Sequence, residues 1–302
     1  LSPAAPSLLG MTKKEIEERK FRPARQEADD ARKAIETPQT SSAAYKLAFQ
    51  DNEFLLREDL RPVRFQLELL KPQLLMDEAR IESTFVFYGS ARIPEPDQVQ
   101  ARIDAATTPE QKKIAENLGK KARYYEEARK LARIAAQYPV NAAGCRHFVV
   151  CSGGGPSIME AANRGAVDVG QTTIGMNIVL PHEQAPNLFV TPELSFQFHY
   201  FALRKMHFLL RARALAVFPG GFGTFDEMFE LLTLIQTGKM KPIPILLFGK
   251  DFWNKVVDFE ALADEGVISH NDLNLLTWVE TAEDAWAAVQ DFYHDSEAPG
   301  CG

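Results

Sequence analysis

The feature that most constrains the fold of this chain is a glycine-rich stretch at residues 219–227, PGGFGTFDE. It follows an apolar run at 214–218, short enough for a buried strand, and precedes residues 228–235, whose apolar positions recur at helical spacing. A strand, a glycine turn and a helix in this order direct free backbone N–H groups toward an anion. Three glycines within four positions also let the backbone approach a ligand closely. The stretch therefore favours a phosphate cradle.

A purely structural interpretation of the same residues is also open. Thr224 and Glu227 have the spacing of a capping box, in which the glutamate side chain returns to the first N–H of the helix. Glycines at a strand–helix turn can serve geometry alone. Short glycine motifs carry a known risk of false matches, so the local pattern leaves both interpretations open.

Two further glycine loops favour the ligand-binding interpretation. Gly89 and Ser90 follow an apolar run at 84–88, and Gly153, Gly154 and Gly155 follow another at 147–151. Since the carboxyl ends of parallel strands meet at one edge of a sheet, we expect all three loops to share one rim. None of the loops has the G-x-G-x-x-G dinucleotide pattern or the G-K-[ST] of a triphosphate-binding loop. A mononucleotide fits this set of loops better.

Alternating strands and helices predict an α/β fold, a doubly wound parallel sheet of the Rossmann-like kind with about seven strands. The predicted strands are 84–88, 147–151, 173–180, 195–199, 214–218, 243–248 and 276–279, and one long helix is predicted over 110–137. Residues 1–80 are predicted to form a helical, partly disordered N-terminal extension, in which Leu60, Val63, Leu67 and Leu70 recur at helical steps. Residues 81–302 form the predicted core domain, with an exposed insertion at 93–109.

Composition narrows the possible partners. A net charge of −7 argues against general affinity for nucleic acid or an anionic membrane surface. No apolar run reaches the roughly 18–20 residues that cross a bilayer, and we expect a cytoplasmic protein. The His, Cys and carboxylate residues show no metal-ligand spacing, and no cofactor is expected. Cys151, at the end of a predicted strand, is expected to be a buried thiol.

Together these elements resemble the Lonely Guy (LOG) family, whose members are often labelled possible lysine decarboxylases. Residues 219–227 match that family's P-G-G-x-G-T-x-x-E signature, and Arg204-Lys205-Met206 is similar to its upstream Arg-Lys element. The loops at Gly89-Ser90 and at 153–155, the latter with Met159-Glu160-Ala161-Ala162, also agree. The resemblance covers roughly residues 80–293, so the N-terminal 80 residues and the 93–109 insertion lie outside it.

The resemblance implies a hydrolase that cleaves the N-glycosidic bond of a nucleoside 5′-monophosphate, such as AMP or a cytokinin riboside monophosphate, to base and ribose 5-phosphate. It also implies a homodimer or higher homo-oligomer. Such a reaction builds positive charge on the ribose ring. Glu227, held ionised by the positive end of its helix, is then the expected catalytic carboxylate, and Arg204 the second catalytic residue.

The remaining predicted contacts bind the substrate. Lys205 is the alternative cationic donor beside Arg204, and Glu160 is a candidate for the ribose hydroxyls. The expected phosphate contacts come from the three loops, at Gly89, Ser90, Gly153, Gly154, Gly155, Gly220, Gly221, Gly223 and Thr224.

Two other classes of function stay open at this stage. One is a nucleotide-binding or molybdenum-cofactor carrier protein that binds without hydrolysis, because such carriers resemble this fold and its glycine loop. The other is a pyridoxal-phosphate lysine decarboxylase. The sequence places no lysine beside a phosphate loop together with an acidic partner for the pyridine nitrogen, which argues against the second.

Overall fold

The computed structural model describes residues 21–181 and 185–294. The part of the predicted N-terminal extension before residue 21 lies outside these residues. The chain forms two compact units, Leu1–Arg64 and Phe65–Gly302. The predicted domain boundary at residue 80 falls after a helix that starts at Arg61, and it stays a prediction.

From residue 21 on, the first unit consists of short helices and turns. Helix α1 spans Ala24–Ala31, α2 spans Asn52–Leu55, and the first residues of α3 (Arg61–Glu78) close the unit. Asp51 starts α2, because its side chain accepts a hydrogen bond from the backbone N–H of Phe54 at 3.3 Å.

The second unit contains one parallel sheet of seven strands. The strands are β1 (Thr84–Tyr88), β2 (Val149–Ser152), β3 (Ile174–Ile178), β4 (Ser195–Phe198), β5 (Ala212–Val217), β6 (Ile245–Phe248) and β7 (Leu276–Val279). Their order in the sheet is β4-β3-β2-β1-β5-β6-β7. The predicted doubly wound α/β fold is confirmed.

Helices of the second unit cover the sheet. They are α4 (Val99–Asp104), α5 (Pro109–Gly119), α6 (Arg123–Ala136), α7 (Ile158–Val167), α8 (Phe201–Leu210), α9 (Phe222–Gln236), α10 (Lys250–Val256), α11 (Phe259–Asp264) and α12 (Ala282–Tyr293). Strand β1 shows why two layers form: all five of its residues are buried. Phe85 and Phe87 pack in the core cluster formed with α6, α7 and α12, while Val86 and Tyr88 pack in the cluster on the opposite face.

The strand order places the site. From β1 the chain proceeds outward through β2, β3 and β4, then returns to pair β5 with the other side of β1. The switch point therefore lies between β1 and β5, where doubly wound sheets bind their ligands beyond the carboxyl ends of the strands. The loops after β1 and β5 flank this crevice, and the loop after β2 is next to them.

The single helix predicted over 110–137 is wrong. Helix α5 ends at Gly119 and α6 starts at Arg123. Gly119 is a poor helix former, and α4 packs closely on it: a Cβ at this position would lie 2.7 Å from Val99 Cγ1. In the predicted insertion at 93–109, Ile93 is buried and most of the other residues are exposed.

Within residues 21–181 and 185–294, the longest apolar helices fall short of what crossing a membrane requires.

Candidate active site

The first glycine loop (89–90, after β1) contacts both the third loop (219–223, after β5) and the helix α7 that follows the second loop (153–155, after β2). The backbone N–H of Ser90 donates to Pro219 O at 3.1 Å, and Ser90 O accepts from Ile158 N at 3.4 Å. Gly89 lies against the start of α7, where a Cβ would meet Ile158 Cγ2 at 2.6 Å. The first loop is thus joined to the third loop on one side and to the helix of the second loop on the other.

Glu227 lies on α9, a little more than one turn from its start, and pairs with Arg204 on α8. Arg204 Nη1 donates to Glu227 Oε1 at 3.0 Å, and the two side chains are only 11% and 14% exposed. Burial raises the pKa of Glu227 to about 7, although Arg204 and Lys205 act in the opposite direction. The helix N-terminus was expected to hold this carboxyl ionised, but desolvation outweighs the favourable charges and leaves it only partly ionised near neutral pH.

The capping-box interpretation is also wrong. Helix α9 starts at Phe222 with Gly221 as its N-cap, so Thr224 lies inside the first turn. The Glu227 carboxylate bonds to Arg204, and the N-cap receives no side-chain hydrogen bond. Thr224 is instead buried against Gly220, where an added Cβ would lie 2.1 Å from Thr224 Oγ1.

This close approach makes Gly220 and Gly221 a matched pair for a stability test. Gly220→Ala is expected to lower the free energy of unfolding by about 1–3 kcal/mol, the usual cost of overpacking. Gly221→Ala is expected to cost under about 1 kcal/mol, because nothing lies within 4 Å of the new methyl and its φ of −103° suits alanine. Urea unfolding of both variants measures the difference. Equal losses would contradict the packing of Thr224 on Gly220.

Besides Glu227 on α9, Arg204 contacts β3, the second loop and a ring of its own helix. Its Nε donates to Met176 O on β3 at 2.7 Å, and its guanidinium lies over the ring of Phe208 at 4.9 Å from the centroid. The same group lies against the second loop, since a Cβ on Gly153 would be 2.6 Å from Arg204 Nη2. The planar fork of donors explains why arginine suits this position.

Lys205 faces two carboxylates next to the Arg204–Glu227 pair, which is called the central pair below. Its Nζ lies 2.9 Å from Asp226 Oδ1 and 3.0 Å from Glu230 Oε2. Burial lowers the pKa of Lys205, but the hydrogen bonds to the two carboxylates outweigh burial, and the net shift is upward. In this structure the Lys205 charge therefore neutralises the acidic neighbours of Glu227.

The second loop is held by residues that the sequence analysis missed. Asn187 Nδ2 donates to Gly154 O at 3.1 Å, to Gly155 O at 3.0 Å and to Asn163 Oδ1 at 2.9 Å. Gly154 has a φ of +74°, and a Cβ there would lie 2.2 Å from Asn177 Oδ1. An asparagine in a loop far from the motif gives no sequence signal, because polar loop residues are common.

Glu160 lies in the first turn of α7 and has a protein partner. Its Oε1 accepts a hydrogen bond from Tyr125 Oη on α6 at 3.2 Å. Burial raises the pKa of Tyr125 to about 12, so the phenol stays protonated and can donate. The predicted contact of Glu160 with ribose hydroxyls stays a prediction.

Two other chemistries find no suitable group among the described residues. Cys151 is fully buried, as predicted, and burial raises the pKa of its thiol, so it is not a nucleophile at neutral pH. In the part of the chain that the structure describes, no group of three or more His, Cys, Asp or Glu side chains could hold a metal ion.

Comparison with known proteins supports the resemblance found in the sequence. The family profile described as "Possible lysine decarboxylase" matches residues 159–289. The probable cytokinin riboside 5′-monophosphate phosphoribohydrolase LOGL3 of Oryza sativa subsp. japonica is 25% identical over 166 residues, which cover 50% of this chain and 73% of that protein. The resemblance to the Lonely Guy family is confirmed.

A second LOG protein and a nucleosidase match this chain at similar identity. The cytokinin riboside 5′-monophosphate phosphoribohydrolase LOG4 of Arabidopsis thaliana is 25% identical over 156 residues, 50% of this chain and 71% of that protein. A pyrimidine/purine nucleotide 5′-monophosphate nucleosidase of Escherichia coli (strain K12) is 28% identical over 144 residues, 42% of this chain but 29% of the relative. The LOG profile match includes Glu160, Arg204 and Glu227, whereas the first two glycine loops precede it.

Among solved structures, the molybdenum cofactor binding protein from Rippkaea orientalis aligns with a TM-score of 0.42 at 17% identity, over 70% of this chain and 97% of that one. The Moco carrier protein from Chlamydomonas reinhardtii aligns with a TM-score of 0.40 at 20% identity, over 70% and 98% of the two chains. At these values neither likeness bears on ligand or activity.

Proposed function

We propose that this protein hydrolyses the N-glycosidic bond of a nucleoside 5′-monophosphate, AMP or a cytokinin riboside monophosphate, to the free base and ribose 5-phosphate. The observation that carries the proposal is the buried Arg204–Glu227 pair beside three glycine loops that meet at one rim. The names of the LOG and nucleosidase relatives support the same class of reaction.

The phosphate is assigned to the start of α9. The first N–H groups of a helix have no partner within the helix, and the helix dipole favours an anion there. Gly221 and Gly223 have open space where a side chain would be, so a monoester can approach the backbone. With the phosphate at this turn, the ribose would extend from the same turn toward Glu227.

Glu227 has two roles in the proposed reaction, stabilising positive charge and transferring a proton. The C1′–N bond breaks with its electron pair moving to the base, and positive charge grows on the ribose ring, which the carboxylate stabilises. As water attacks C1′, Glu227 accepts its proton, and that proton is then available to the departing nitrogen. A carboxyl with a pKa of about 7 can both accept and donate a proton near neutral pH. Arg204 orients the carboxylate and keeps part of it ionised.

The pH profile tests this assignment. Because the ionised form of Glu227 is needed to accept the proton from water, and burial raises its pKa to about 7, kcat/KM is expected to fall as the pH drops below about 7. Well below the pKa of Glu227, kcat/KM is expected to fall nearly tenfold per pH unit. Above that pKa, kcat/KM is expected to become constant. Initial rates between pH 5 and pH 9, with circular dichroism as a control for folding, measure it. A level profile between pH 5 and pH 7 would contradict the assignment.

The function is tested with a panel of nucleoside 5′-monophosphates, each assayed for free base and ribose 5-phosphate. Adenosine serves as the matched control for AMP, since it lacks only the phosphate that the loops are proposed to bind. Cleavage of AMP or a cytokinin riboside monophosphate, without cleavage of the nucleoside, is expected. Tight nucleotide binding with no product from any member of the panel would favour the carrier alternative.

A further inference from the structure

We propose that Glu68, on helix α3, is a positioning residue that sets the place of Arg204 by holding both the start and the body of α8. The inference rests on the proposed function, since it gives α3 a part in arranging the Arg204–Glu227 pair. Helix α3 precedes the segment that resembles the LOG family, so the proposal concerns a feature of this chain outside that resemblance.

The first observation is a carboxylate at the N-terminus of α8. Glu68 Oε1 accepts the backbone N–H of His199 at 2.9 Å, and Glu68 Oε2 accepts that of Tyr200 at 3.2 Å. Tyr200 is the N-cap of α8 and makes no side-chain cap of its own. Tyr200 O in turn accepts the backbone N–H of Arg204 at 3.1 Å. A negative charge at this end of a helix is favourable, so Glu68 serves as an external cap.

The second observation is contact along the body of α8. Glu68 O lies 3.1 Å from Nε2 of His207, whose side chain is 1% exposed. Because a carbonyl oxygen only accepts, His207 Nε2 carries the proton. The aromatic rings of Phe65 and Tyr200 pack edge to face, with centroids 4.2 Å apart. One turn of α3 thus contacts α8 on both sides of Arg204.

The other end of α8 is held by the same helix. Arg211, the C-cap of α8, donates from Nη2 to Asp77 Oδ1 at 2.6 Å and to Gln73 O at 3.3 Å. Helix α3 therefore places an anion at the N-terminus of α8 and anchors a cation at its C-terminus, in accord with the helix dipole. Two fixed ends leave α8 little freedom to slide along its axis.

The consequence concerns the central pair. Arg204 reaches Glu227, Met176 O and the second loop at once, so a small shift of α8 changes several contacts together. Misplacement of a catalytic group by about 1 Å can lower a rate by about a hundredfold. Removing the Glu68 carboxylate is therefore expected to lower kcat by about tenfold or more, with a smaller change in KM.

The experiment compares Glu68→Ala and the isosteric Glu68→Gln with Glu78→Ala, which removes an exposed carboxylate from the same helix. Hydrogen exchange of the amides at 199–206 is measured in each folded variant, together with kcat and KM for AMP. Faster exchange at 199–206 and lower kcat in both Glu68 variants, with Glu78→Ala like the wild type, is the expected result. Wild-type exchange and kcat in Glu68→Ala would overturn the proposal, as would equal effects in Glu78→Ala.

The experiment distinguishes a failure of the proposed function from a failure of the positioning role proposed for Glu68. If the wild-type protein cleaves no nucleotide, the proposed function fails, and the affinity for AMP replaces kcat as the second readout. Faster exchange at 199–206 with weaker AMP binding in the Glu68 variants still supports the positioning role in that case. Unchanged exchange and affinity overturn it whether or not the protein is a hydrolase.

Discussion

Glu227→Gln is expected to lower kcat for nucleotide cleavage by about 10²–10⁴-fold, the range for loss of a general acid–base group. Glutamine has nearly the same shape and can still accept the hydrogen bond from Arg204 Nη1, but it cannot take a proton from water. The affinity for a nucleoside monophosphate should stay close to that of the wild type, because the phosphate is assigned to the first turn of α9. The unfolding midpoint should fall, because the Arg204 charge stays buried without its anionic partner. Steady-state kinetics, calorimetric binding of AMP and thermal unfolding measure the three quantities.

The matched control is Glu260→Gln, which makes the same chemical change at an exposed position on α11. It should leave all three quantities unchanged. A rate for Glu227→Gln near that of the wild type would remove the carboxylate from the chemistry and leave it a structural partner of Arg204.

Arg204→Met is expected to produce the second large effect, a loss in kcat of about 10²–10³-fold, as for removal of one preorganised charged or hydrogen-bonding group. Since Arg204 lowers the pKa of Glu227 against the effect of burial, its removal should raise that pKa above about 7 and move the pH profile toward higher pH. The direction of this shift separates an electrostatic role for Arg204 from a contact with substrate alone.

Arg204→Met should lower the free energy of unfolding by an amount that depends on pH. Breaking a buried ion pair by removing one partner costs about 3–5 kcal/mol when the remaining charge stays ionised. Below about pH 7 the buried Glu227 can protonate, so the loss should be smaller at pH 6 than at pH 8. Urea unfolding at both pH values measures it. A larger loss at pH 6 would contradict the assignment of Arg204 as the group that keeps Glu227 ionised.

The positions of the strands and of the glycine loops were predictable from sequence, because both depend on local patterns. Each strand is a short apolar run ending in turn residues, and the observed β1, Thr84–Tyr88, coincides with the predicted 84–88. Alternation with helices implies parallel strands, and parallel strands bring the loops after β1, β2 and β5 to one edge without any knowledge of the strand order. The resemblance to the Lonely Guy family likewise predicted Arg204 and Glu227 as site residues, and the structure places them in contact.

The sequence-based predictions that were wrong concern features that depend on contacts between residues distant in the sequence. A helical pattern over 110–137 does not show that α4 packs on Gly119 and that the helix ends there. The spacing of Thr224 and Glu227 fits a capping box, but Arg204, 23 residues away, takes the carboxylate. The contacts of Asn187 with the second loop and of Glu68 with the start of α8 were missed for the same reason, since the partners are distant in sequence.

By itself, the sequence of this protein determined which segments form strands and helices and which loops meet at the carboxyl edge, because backbone preferences and apolar periodicity act over a few residues. Only the tertiary structure decided the protonation of Glu227, the partners of Lys205 and the external cap on α8. These depend on how much water the surrounding elements exclude and on which charges they bring within a few ångströms. Desolvation and Coulomb interactions are properties of the packed arrangement, and no local pattern of residues encodes them.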